Sequence, residues 1–160
     1  MSEPLRPGTH AGIRRELLNA RRRVESLAYH REHRRQEGEP ENTLQWHEVQ
    51  QALGPYISPR IEDQEKIIAA AHGVASERLR EKTQGASEET KRYKTAYREQ
   101  LNLAILHNAL FSVPAIGHAG WRIRRRLQYF IHRAVGKQGE RLLILGRGEN
   151  KVGYLEQSEP

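Results

Sequence analysis

Glycine and proline cut this chain into helix-length pieces, and that punctuation limits its fold more than any other feature. Breaks fall at Gly38-Glu39-Pro40, Gly54-Pro55, Gly85, Pro114 to Gly117, and Gly136. Between them, apolar residues recur every three or four positions, as they do along one face of an α-helix. The expected fold class is therefore mainly α: about five helices in a small bundle, with an extended N-terminal arm and a C-terminal β-hairpin.

Residues 1–8 hold Pro4, Pro7 and Gly8 and read as the arm. Thr9 is the expected N-cap of a first helix over 9–37, with a heptad seam of Ile13, Leu17, Ala20, Val24 and Leu27. A helical core is expected over 42–135. Its first helix is capped by Asn42 or Thr43, ends near Leu53, and faces inward through Trp46, Val49 and Leu53. The next opens at Ser58-Pro59 and buries Ile61, Ile68, Ala71, Ala75 and Leu79. Another starts at Ser87, runs to Phe111, and turns Tyr93, Tyr97, Leu101, Ala104 and Phe111 inward. The last helix is expected from His118 to Val135, packed through Ile123, Leu127, Phe130 and Ala134. Arg141–Leu145 and Lys151–Glu156 read as two strands, so 141–156 is expected to be the hairpin, turned at Gly146 to Asn150.

Composition excludes several functions. With no cysteine there is no disulfide scaffold, thiol nucleophile or thiolate-bound metal. Asp63 is the only aspartate, which argues against a multi-carboxylate Mg²⁺ site. No run of about 18 apolar residues offers a membrane span. Met1 to Gly12 lacks the apolar segment of a secretory signal, so the expected location is intracellular (cytoplasm or nucleoid) or within a virion. His30 and His33 are three apart, yet Arg31, Arg34 and Arg35 beside them repel a cation, so no metal is expected. No cofactor motif appears. Gly146-x-Gly148 lacks the third glycine and the following helix of a dinucleotide loop. The glutamates are expected at exposed helical positions, and no nucleophile–base order stands out, so the chain is read as a non-enzyme.

Charge then points to a partner. The net charge is +7, with 36% hydrophobic residues against roughly 45–50% for a globular domain counted with glycine. Residues 1–37 carry a net +4, 38–111 a net −2, and 112–160 a net +5. Of the basic residues, 21 are arginine and 6 are lysine. Guanidinium grips phosphate with two parallel N–H bonds. GC-rich coding or adaptation to heat also raises arginine. Arg14, Arg15, Arg21, Arg22 and Arg23 surround the first helix's seam, and Arg31, Arg34 and Arg35 continue the arc of that seam. Residues 112–138 hold six basic side chains and no acid. There Arg122, Arg126, Tyr129 and Arg133 form one stripe; Trp121, Arg125 and His132 form a neighbouring one, flanked by Arg124 and Lys137. Aromatic rings among acid-free arginines suit contact with a nucleic-acid backbone and its bases.

The leading expectation is a structural nucleoprotein. Many copies, or copies with a related subunit, would coat nucleic acid, DNA favoured over RNA, through these arginines. Its armed, basic, helical design is similar in outline to coat proteins of filamentous DNA viruses. A second expectation is a winged-helix regulator. The order helix, turn, Arg-rich helix and hairpin over residues 101–156 resembles the end of a winged helix-turn-helix, with Arg147 at the wing tip. A small subunit of a ribonucleoprotein complex and an adaptor for acidic proteins complete the alternatives.

Overall fold

A computed structural model describes residues 10–54, 60–112 and 117–139. The arm at 1–8, the Ser58-Pro59 opening, the Pro114 break and the 141–156 hairpin lie outside the described residues. Five helices follow in order: α1 (His10–Gln36), α2 (Trp46–Leu53), α3 (Ile61–Gln84), α4 (Glu88–Ser112) and α5 (Gly117–Gly139). Among the described residues there is no strand.

Local chemistry accounts for the helix ends. Gly54 and Gly85 take positive φ of 72° and 84°, which costs glycine little. Their N–H groups bond back to Gln50 and Glu81 carbonyls at 3.3 and 2.9 Å. At the start of α4, Ser87 Oγ accepts the Thr90 N–H (3.1 Å) and Thr90 Oγ accepts the Ser87 N–H (3.0 Å). This reciprocal cap satisfies two amides that no helical carbonyl reaches.

The cap of α2 differs from the expectation. The helix starts at Trp46, with Gln45 as N-cap, and the Glu48 carboxylate accepts the Gln45 N–H at 3.2 Å. Asn42 is used elsewhere: its Oδ1 accepts from Arg31 at 2.7 Å. α5 also runs past Gly136 to Gly139.

α3 is the central helix, packed on α4 along one side and α1 along another, while α5 docks on α4. The larger core cluster joins α1, α2, α3 and the middle of α4 through Val24, Leu44, Val49, Ile67, Val74 and Leu101, among others. A smaller one joins the start of α1 to α4 and α5 through Ile13, Leu106, Ala109 and Leu127.

Three inward assignments change. Ile61 and Phe111 are exposed (68% and 51%), because α3 turns Asp63, Lys66, Ile67 and Ala70 inward and Phe111 lies in the last turn of α4. The Arg60 guanidinium covers the Phe111 ring at 3.8 Å. On α1, the buried line is Ala20, Val24, Ala28 and Glu32, a step of four each time. Each step of four turns the line by about 40°, so it leaves the heptad seam and ends at Glu32, where His72 of α3 meets it at 2.9 Å.

Candidate functional site

The arginines of α1 divide by partner. Those pointing across the fold are tied into it. Arg21 pairs with Glu25 (3.0 Å) and donates to Asn102 Oδ1 (3.3 Å). Arg23 Nε donates to the Ala52 carbonyl at 2.9 Å. Arg31 also bonds Glu48 at 2.7 Å, and Arg35 bonds Glu32 (3.0 Å) and the Pro40 carbonyl (3.1 Å). These guanidiniums staple α1 to α2, to α4 and to the loop after α1. Arg14, Arg15, Arg22 and Arg34 are exposed, and no carboxylate among the described residues pairs with them.

The glutamates expected at the surface partly go inside. Glu25, Glu32 and Glu77 are buried, each beside a cation. Arg98 grips both oxygens of Glu25, donating from Nη2 at 2.6 Å and from Nε at 3.1 Å. Arg80 lies 3.1 Å from Glu77. Glu32 receives Arg35 and the imidazole of His72 (2.9 Å). Since the Leu44 N–H donates to His72 Nε2 at 3.0 Å, the ring proton sits on Nδ1 and donates to Glu32. Sequence reasoning missed the Glu25–Arg98 and Glu32–His72 pairs because their partners lie 73 and 40 residues apart along the chain.

On α5, Arg122, Arg125, His132 and Arg133 are exposed and Tyr129 is half-exposed. Arg124 and Arg126 are half-buried. Arg133 lies over the Tyr129 ring at 6.0 Å. The opposite face carries Leu127, which is fully buried. Lys137 lies in the last turn of α5, and Arg147 lies outside the described residues.

Helices α1, α4 and α5 enclose a cleft of about 350 Å³. From α1 come Arg14, Leu17, Leu18 and Arg21; from α5 come Phe130, Arg133 and Ala134. The α4 wall adds Glu99 and Asn102 above Ile105 and Leu106. The two basic segments, at opposite ends of the sequence, thus meet at one concave surface, with Arg14 and Arg133 both on its lining. The cleft forms because the small core cluster draws the start of α1 and the middle of α5 onto α4. Its chemistry is apolar in the floor, cationic on the α1 and α5 sides, and polar on the α4 side, where Glu99 brings a carboxylate. Partial burial lowers the pKa of Arg21 below its ordinary value, although Glu25 opposes the shift.

Among the described residues, no three His, Asp or Glu side chains gather as metal ligands, and no helix is long and apolar enough to cross a membrane. No protein-family model matches the chain, and neither a curated protein nor a solved structure is found to be similar to it.

Proposed function

We propose that this protein binds nucleic acid without catalysing a reaction, holding the phosphate backbone with the exposed arginines of α1 and α5 as a packaging or coat-type nucleoprotein. The observation that carries this reading is the convergence of the two basic segments on one surface, with Arg14 and Arg133 lining the same cleft. Guanidiniums already paired with Glu25, Glu32 and Glu48 serve the fold. Arg14, Arg15, Arg22, Arg34, Arg122 and Arg133 are among those presented to solvent for an anionic ligand. DNA is the favoured polymer, and further copies of the chain are the favoured protein partner.

Backbone contact is weakened by salt, because each phosphate contact releases a counterion. The test is a salt titration of binding by the intact protein and by the Arg122→Ala/Arg133→Ala variant. Weaker binding and a log–log salt slope shallower by up to about 0.9 per lost contact are expected. Equal affinity and slope in both proteins would remove α5 from the interface. Light scattering with long DNA adds the assembly arm: a coat saturates at a fixed length of polymer per subunit.

A further inference from the structure

We propose that the cleft between α1, α4 and α5 seats one unstacked nucleotide of a single strand, its base against the apolar floor and its phosphates at Arg14 and Arg133. This rests on the nucleic-acid reading above and adds the form of nucleic acid and the surface that selects it.

Shape is the first argument. A volume of about 350 Å³ falls within the roughly 300–1,000 Å³ of small-ligand pockets. The convex, phosphate-lined surface of a duplex does not enter a concavity between three helices. A splayed nucleotide does, and single strands are recognised by unstacking their bases onto protein surfaces.

Lining chemistry is the second argument. Leu17, Leu18, Ile105 and Leu106 give phosphate nothing to bind, but they match the face of a base. Phe130, partly buried beside them, supplies the aromatic ring that single-strand sites pair with a basic track. Asn102 stands on the α4 wall, where a splayed base presents its hydrogen-bonding edge. Asn102 Oδ1 accepts from Arg21, which leaves its amide N–H₂ as the donor for a ligand.

Charge is the third. Arg21 is engaged by Glu25 and Asn102, whereas Arg14 and Arg133 have no carboxylate partner among the described residues. A base alone gives neither guanidinium an anion to bind. A strand passing through the cleft supplies a phosphate on either side of the seated base.

The experiment compares the intact chain with Ala134→Trp, which fills the cleft and keeps every arginine. Binding is read by fluorescence anisotropy at fixed salt, on a short oligothymidylate carrying one 2-aminopurine and on a duplex of the same sequence. The wild-type chain is expected to prefer the single strand by about ten-fold or more, the scale of one base-stacking contact, and to change the 2-aminopurine emission. Ala134→Trp is expected to lose that preference and the emission change while its duplex affinity stays within about two-fold. If Ala134→Trp melts early, Leu18→Trp fills the cleft from the α1 side, keeps every arginine, and is expected to lose the single-strand preference by a similar factor.

Equal affinity for both forms, or a cleft-filled variant that binds the single strand like wild type, overturns the cleft assignment and leaves the nucleic-acid reading standing. Failure to bind either form at low salt takes down both. Displacement of the oligonucleotide by thymidine monophosphate at equal nucleotide concentration would reassign the pocket to free nucleotides and overturn the strand assignment.

Discussion

His72 illustrates how single residues hold this fold. Its two ring nitrogens join α3 to Glu32 of α1 and to the backbone N–H of Leu44, with no water-facing atom required. Truncation to His72→Ala leaves a buried amide and a buried carboxylate short of a partner. An unsatisfied buried group costs about 1–3 kcal/mol. His72→Ala is expected to lose about 2–3 kcal/mol in urea unfolding, more than a surface histidine such as His47 would. The same carboxylate gives a pH dependence. Burial alone pushes Glu32 up, but the His72 hydrogen bond, Arg35 and Gln36 outweigh it, so its pKa lies below the ordinary 4.5. Glu48 behaves alike: burial opposes, while Arg31 and the Gln45 N–H prevail. A depressed carboxylate stabilises the fold above its unfolded pKa, and that contribution disappears as pH falls through the folded value. Stability is therefore expected to drop below about pH 4.5, with a shallower drop in Glu32→Gln, measured as urea midpoints across pH. Burial raises Asp63 and Glu77 instead, so those two cost stability at neutral pH and relax on acidification.

At the scale of elements, close approach decides what sequence periodicity leaves open. α3 passes α4 so tightly that a Cβ on Gly73 would lie 2.4 Å from the Tyr97 ring. Alanine favours a helix interior by about 1 kcal/mol over glycine. Overpacking a core costs about 1–3 kcal/mol and opposes that gain. Gly73→Ala is expected to destabilise by up to about 2 kcal/mol net, and a urea midpoint raised above that of the wild type would mean that Tyr97 swings away at no cost. Nothing in the run Ala71-His72-Gly73-Val74 marks the glycine as a packing requirement. The helices themselves were legible, since Gly54, Gly85, Ser87 and the intervening periodicity act locally. The inward faces were less so. Ile61 and Phe111 fit the period yet lie exposed, because a repeat identifies a stripe without saying where along the helix its neighbour ends.

Over the whole molecule, the small core cluster sets the candidate interface. α5 anchors through Leu127, fully buried against Ile13, Leu106 and Ala109, while Ile123, Phe130, Ile131 and Ala134 are only partly covered. Leu127→Ala is expected to cost about 2–5 kcal/mol at that anchor. The larger cluster does not use α5, so the damage should stay local: amide protection is lost in 117–139 and retained in α3 and α4. Hydrogen exchange by mass spectrometry checks this, and equal loss throughout would make the two clusters one cooperative unit. The binding proposed here should fall with α5 docking, because Phe130, Arg133 and Ala134 form one wall of the cleft.

The sequence by itself determined the number, order and approximate limits of the helices, and the concentration of positive charge at both ends. Those features are local: turn residues, caps and periodicity act within a few positions, and charge is additive along a chain. Only the tertiary structure decided which arginines belong to the fold and which face solvent. Arg98 finds Glu25 across 73 residues, and His72 finds Glu32 across 40, so no window along the chain contains both partners. The same long-range packing put Arg14 and Arg133 on the lining of one cleft and turned two separate basic segments into one surface.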